Sequence, residues 1–142
     1  NPGMSFFSSA DAFAMIRGGH IDVTVLGALQ VSEKGDLANW MLPQRGIGNV
    51  GGAMDLVAGA KRVIVAMEHS DRNGESKVVQ ECVYPLTGRE CVSLIVTDIA
   101  VLEVTSAGLT LKEVAPGWTA EDVQHETEAR LTVSSDLKEI TL

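Results

Sequence analysis

The sequence predicts an α/β domain with an open, mainly parallel sheet and flanking helices, and three observations carry that expectation. Apolar, β-branched runs alternate along the chain with short helix-forming runs, and glycines fall at the junctions between them. The run Arg62-Val63-Ile64-Val65-Ala66-Met67 is the most strand-like in the chain, continuously apolar in the manner of parallel strands covered on both faces. Residues 1–142 have the length of one ordinary domain and are read as one.

Taken in order, Ser8 and Ser9 precede a helix-forming run from Ala10 to Arg17, with an early acid at Asp11, a late base at Arg17 and Gly18-Gly19 as its stop. Ile21 to Leu26 reads as a strand, placed centrally in the sheet. Val31 to Gly52 carries Gly35, Pro43, Gly46, Gly48, Gly51 and Gly52 and no long periodic run, so about twenty residues are expected to travel as loop, a length that is usually functional or disordered. Ala53 to Ala60 opens a helix directly after the glycine pair, with Asp55 in its first turn. Val78-Val79, Ser93 to Thr97, Ala100 to Val104 and Leu109 to Val114 follow as further strands, some antiparallel. Thr119 caps a last helix from Ala120 with Asp122 at its third position, and a final strand is expected near Leu131-Thr132-Val133.

Composition excludes several functions. Eleven Lys and Arg against nineteen Asp and Glu give a net charge of -8, which offers no general field for a nucleic-acid backbone. Asp22, Lys34, Asp36, Arg62 and Asp98 interrupt every run that could approach a membrane helix, so neither membrane nor nucleic acid is expected as a partner. Cys82 and Cys91 fit neither a metal pair nor a Cys-x-x-Cys motif and read as reduced, buried thiols of a cytoplasmic protein. Asn1-Pro2-Gly3 has no initiator Met, basic segment or apolar signal core, and the chain is expected to begin inside a longer protein.

The strongest candidate for chemistry is Gly46-Ile47-Gly48-Asn49-Val50-Gly51-Gly52-Ala53, which leads into a helix. Glycine lets backbone amides approach a ligand, and a helix start adds positive potential, so an anion or a developing oxyanion fits at Gly52 and Ala53. A plain glycine turn explains the same residues. The spacing is neither a Walker loop nor the dinucleotide fingerprint. Glu68-His69-Ser70 follows the apolar strand, where open sheets place ligands, yet no nucleophile elbow is present and a structural role is favoured. His20 and His125 have no partner at ligand spacing, so no metal is expected. Glu33, Asp36 and Asp55 supply carboxylates whose pairing the sequence does not fix, and Trp40 and Pro43 are read as pinning the loop.

Five runs in order then carry a resemblance: Ser5 to His20, Gly35-Asp36-Leu37-Ala38-Asn39-Trp40-Met41, Gly51-Gly52-Ala53-Met54-Asp55-Leu56-Val57, Met67-Glu68-His69 and Pro85-Leu86-Thr87-Gly88. From about Phe6 to about Leu137 the chain resembles the B subunit of family I CoA transferases, with the 3-oxoacid enzymes as nearest kin. The resemblance implies the open sheet shared with sugar-phosphate isomerases. It implies transfer of CoA from succinyl-CoA to acetoacetate or 3-oxoadipate through an acyl anhydride and a glutamyl-CoA thioester. CoA is then a substrate and no separate cofactor or metal is called for. The implied partner is an A subunit or domain, with a dimer of A–B pairs as the expected assembly. Within the Gly-Gly-Ala-Met-Asp motif the oxyanion donors are the amides of Gly52 and Ala53.

Two departures stand out. The family's nucleophile lies in a Glu-Asn-Gly motif upstream of the region matching Phe6, and that motif does not occur in this sequence. Glu33, Glu68 and Glu75 do not occupy it, so the chain reads as the C-terminal part of a B subunit, inactive alone. Gln44-Arg45-Gly46-Ile47-Gly48-Asn49-Val50 also departs from the family's Gly-Lys-Met-Val-Lys-Gly-Met and leaves the acyl substrate open. The competing reading is a ligand-sensing or structural module of the same fold without chemistry. A sugar-phosphate isomerase is less favoured, because phosphate-binding lysines have no recognised context here.

Overall fold

The computed structural model describes residues 2–46, 48 and 51–141. Helix α1 (Ser9–Arg17) leads into β1 (Val23–Leu26), followed by β2 (Gln30–Ser32), β3 (Leu37–Ala38) and a single 3-10 turn at Pro43–Arg45. Then come α2 (Ala53–Gly59), β4 (Arg62–Ala66), β5 (Val78–Val79), β6 (Val92–Val96), β7 (Ala100–Thr105), β8 (Gly108–Val114), α3 (Ala120–Glu126) and β9 (Leu131–Glu139). Six strands form the main sheet in the order β1-β4-β6-β7-β8-β9, and β3-β2-β5 form a second, smaller one. In the main sheet β1/β4, β4/β6 and β8/β9 are parallel, while the β6–β7–β8 meander is antiparallel. The mainly parallel α/β class is therefore observed.

The core lies on one face of the main sheet. Val63, Val65, Ile95, Leu102 and Leu111 point into it, and Val31, Leu37 and Val78 of the small sheet and Val123 of α3 close over them. Each such side chain taken fully from water contributes about 1.5–3 kcal/mol relative to exposure. Alternation puts the remaining residues of β1 and β4 on the other face, where Val25 is 61% exposed and Ala66 is also exposed.

Four expectations are corrected. Ile21 to Leu26 is not central: β1 pairs only with β4 and is the edge of the sheet among the described residues. A short β-branched run fits an edge as well as a centre. β4 is buried on one face only, with Val63 and Val65 inside and Arg62 and Ala66 exposed. Residues 31–52 are not a plain loop, because β2 and β3 form there, and Val31, Leu37 and Ala38 are fully buried. Their turn is set by Gly35, at φ +85° with Val92 O only 2.7 Å from where a Cβ would stand. Asp36 braces it by accepting from Ser32 Oγ at 3.0 Å and from the Glu90 amide at 3.0 Å. The thiols are half-buried rather than fully buried.

Candidate functional site

Of the three α-helices of the described residues, two begin alike and the third, which follows the glycine motif, does not. α1 closes its N-terminus with a capping box in which Ser8 and Asp11 satisfy each other's backbone amides, and α3 does the same with Thr119 and Asp122. α2 has an aspartate at the same third position, Asp55, but its N-cap is Gly52, which has no side chain to offer. Asp55 is held elsewhere: Arg17 Nε donates to its Oδ1 at 2.7 Å. The guanidinium keeps the Asp55 carboxyl below its ordinary pKa, first through that hydrogen bond. The leading amides of α2 therefore carry no side-chain cap, and Gly52 and Ala53 are half-buried rather than sunk in packing.

α1 also explains why residue 52 is glycine. A Cβ there would lie 2.6 Å from Phe13 Cζ, and one at Gly59 would lie 2.1 Å from the carbonyl oxygen of Ile16. Phe13, Ile16 and Arg17 share the side of α1 that meets α2, and the Arg17 guanidinium rests 5.9 Å from the centre of the Phe13 ring. Sequence reasoning assigned nothing to Phe13 or to Arg17 beyond helix polarity. Their spacing at i and i+4 was the available signal.

The loop before α2 is pinned at Trp40, as expected of that residue. Trp40 Nε1 donates to Leu86 O at 3.2 Å, Asn39 accepts from Thr87 Oγ1 at 2.7 Å and donates from Nδ2 to Gly27 O at 3.0 Å. The Leu37 amide donates to Gly88 O at 2.9 Å, so the Gly35–Met41 and Pro85–Gly88 runs form one packed unit. A Cβ at Gly48 would fall 2.4 Å from the Trp40 ring. Gly46 takes φ +67°, while Ile47, Asn49 and Val50 lie outside the described residues.

The remaining candidates are dispersed. Asp36 is the turn brace just described, Asp55 is paired with Arg17, and Glu33 lines a cleft of about 770 Å³ with Lys34, Glu90 and Arg130. A second cleft, about 670 Å³, is lined by Glu75, Glu81, Glu126 and Glu128. Neither is lined by Gly52 or Ala53. His69 is 2% exposed and bonded on both ring nitrogens, in keeping with the structural reading. Burial pushes the Cys82 thiol up to about 12 and raises that of Cys91 as well. No group of three or more His, Cys, Asp or Glu among the described residues is placed to hold a metal, and no helix among them is long and apolar enough to cross a membrane.

A family model described as Coenzyme A transferase matches residues 1–126. The chain belongs to the coenzyme A transferase family. It is 54% identical over 132 residues to the B subunit of succinyl-CoA:3-ketoacid coenzyme A transferase from Helicobacter pylori, covering 93% of this chain and 64% of that protein. It is 46% identical over 140 residues to the β chain of the acetate CoA-transferase of Haemophilus influenzae, covering 99% of this chain and 63% of the relative. The chain thus spans less than two thirds of the length of these transferase subunits. Among solved structures, the acyl-CoA transferase YdiF of Escherichia coli O157:H7 superposes with a TM-score of 0.83 at 21% identity, over 96% of this chain and 31% of that one. That likeness shows the transferase fold.

Proposed function

We propose that this chain is the part of a CoA-transferase B subunit that supplies the oxyanion donors, the amides of Gly52 and Ala53, to a transfer between succinyl-CoA and a 3-oxoacid such as acetoacetate or 3-oxoadipate. The observation that carries the reading is the open start of α2, the one α-helix among the described residues whose third-position aspartate is turned away from its own N-cap. Two amides left without a side-chain cap at a helix start suit the oxygen of a thioester as it becomes tetrahedral, and one such donor is typically worth about 3 kcal/mol in the transition state. Likeness to proteins named for succinyl-CoA:3-ketoacid transfer supports the choice of substrates.

The attacking carboxylate is assigned to polypeptide outside these 142 residues, because the sequence contains no Glu-Asn-Gly. It would add to the acyl-CoA carbonyl, expel CoA thiolate from the tetrahedral intermediate and leave an acyl anhydride; attack by CoA thiolate on the glutamyl carbonyl then releases the acyl group as its carboxylate and leaves the glutamyl thioester. An A subunit or domain is the proposed partner, in a dimer of A–B pairs. Val25 and Ala66 on the open face of the sheet support a partner layer, since mainly parallel sheets bury both faces. Half-buried free thiols support a cytoplasmic setting.

The test is reconstitution of this chain, within a complete B subunit and with its A partner, followed by CoA exchange between succinyl-CoA and acetoacetate. Exchange that collapses when the Gly52–Ala53 segment is altered supports the reading. A folded, assembled protein without exchange favours the ligand-sensing or structural module instead.

A further inference from the structure

His69 follows β4 and stands between the β6–β7 turn and the end of α3. Its Nδ1 lies 3.1 Å from Thr97 Oγ1 and its Nε2 lies 2.9 Å from Thr127 Oγ1, all three side chains being buried. Each hydroxyl has one hydrogen to give and two lone pairs to accept with. Thr97 Oγ1 accepts from the Ile99 amide at 3.3 Å and from the Ala100 amide at 3.0 Å, which occupies both lone pairs. It has no capacity left to receive a ring N–H, and its one hydrogen is shared between Nδ1 and Ala100 O, each at 3.1 Å. Ala100 O, with two lone pairs, accepts from that hydroxyl and from the Thr97 amide at 2.8 Å.

On the other side Thr127 Oγ1 donates to Val123 O at 2.5 Å, within the end of α3, and its lone pairs are open to the hydrogen on Nε2. We propose that His69 is a neutral relay fixed in its Nε2–H tautomer, running from Thr97 through the ring to Thr127 and Val123, and that acid opens this joint between the β6–β7 turn and α3. A proton added at Nδ1 would face an oxygen with nothing to accept it, and one of the amide bonds of the Thr97 turn would have to break.

The surrounding charges do not reverse this. Asp98, whose Oδ1 accepts from the His69 amide at 2.7 Å, and Glu126 of α3 both favour the protonated ring, but burial outweighs them and holds the His69 pKa below its ordinary value. Lys77, whose amide donates to His69 O at 2.9 Å, faces Glu68, Asp98 and Asp71, so these carboxylates are shared with a second cation. A lowered folded pKa means that the unfolded chain binds the proton more readily, so stability is lost as pH falls below the unfolded value near ~6.5. The joint is independent of the transfer reaction and fails or stands without it.

Long-range nitrogen–proton NMR on the full chain labelled with ¹⁵N-histidine reads the ring directly. The expected result is a protonated Nε2 and a bare Nδ1 for His69 at pH 7.5, persisting on acidification below the free-imidazole range. An Nδ1–H tautomer, or proton uptake at or above that range, would overturn the proposal. In parallel, His69→Gln removes the ring. Between pH 7.5 and 5.5 the folding constant of the parent is expected to fall by up to roughly tenfold more than that of the variant, the signature of one site protonated only when unfolded. Equal falls would also overturn it, and the NMR result decides if the variant does not fold.

Discussion

Arg17 and Asp55 meet at 2.7 Å between α1 and α2, and the carboxylate so engaged is the one a capping box would send back to the Gly52 amide. In α1 and α3 the equivalent aspartates, Asp11 and Asp122, make that return bond. Under the proposed function this arrangement gives Arg17 a role that its exposed position does not announce: it holds Asp55 away from the start of α2.

Replacing Arg17 with Gln should therefore act on catalysis more than on folding. The pair lies at the surface, with Arg17 exposed and Asp55 half-buried, and contributes little to stability, but Asp55, once released, competes for the α2 amides. In the reconstituted enzyme kcat is expected to drop roughly tenfold or more, with KM for succinyl-CoA little changed, as befits an interaction made mainly in the transition state. Steady-state kinetics check this, and an unchanged kcat would refute the role given to Arg17.

Gly52→Ser tests the packing behind the motif. The new Cβ would stand 2.6 Å from Phe13 Cζ, an overpacking that typically costs about 1–3 kcal/mol. Urea unfolding should show that loss, and Phe13→Ala in the same chain should recover part of it, because the two positions couple through one contact. Additive effects of the two changes would mean that the ring is not the obstacle.

Gly59→Ala should be more severe than Gly52→Ser. Its Cβ would meet backbone, the carbonyl oxygen of Ile16 at 2.1 Å, rather than a ring that can turn aside. The expected loss exceeds that of Gly52→Ser in the same urea titration, at the upper end of or beyond about 3 kcal/mol. A mild effect would place α1 further from α2 than it is described.

The thiols should be slow to react. With Cys82 pushed up to about 12, thiolate at pH 8 is a fraction on the order of 10⁻⁴, and Cys91 is raised in the same direction by burial. Iodoacetamide at pH 8 is expected to leave both unmodified in the native chain and to label both in urea, as read by intact mass. Rapid native labelling of either would contradict the burial assigned to it.

Helix starts were legible in the sequence because capping is local: Ser8 with Asp11 and Thr119 with Asp122 lie three residues apart and need nothing distant. The small sheet was not, because Val31 pairs with Val78 far along the chain and neither β2 nor β3 is long enough to show a period. The edge position of β1 depends on which strands lie beside it, which Ile21 to Leu26 does not encode. At the site, the glycine motif and the acid at Asp55 were readable, whereas the bond that withdraws Asp55 comes from α1 and belongs to the tertiary structure.

The most direct test is to locate the covalent intermediate. This chain, completed as a B subunit and assembled with its A partner, would be mixed with succinyl-CoA, quenched with hydroxylamine or borohydride and mapped by peptide mass spectrometry. A single modified glutamate outside residues 1–142, formed more slowly after Arg17→Gln, is the predicted result. Modification of Glu33, Glu68 or Glu75, or no modified glutamate in an assembled protein, would contradict the division of labour described above.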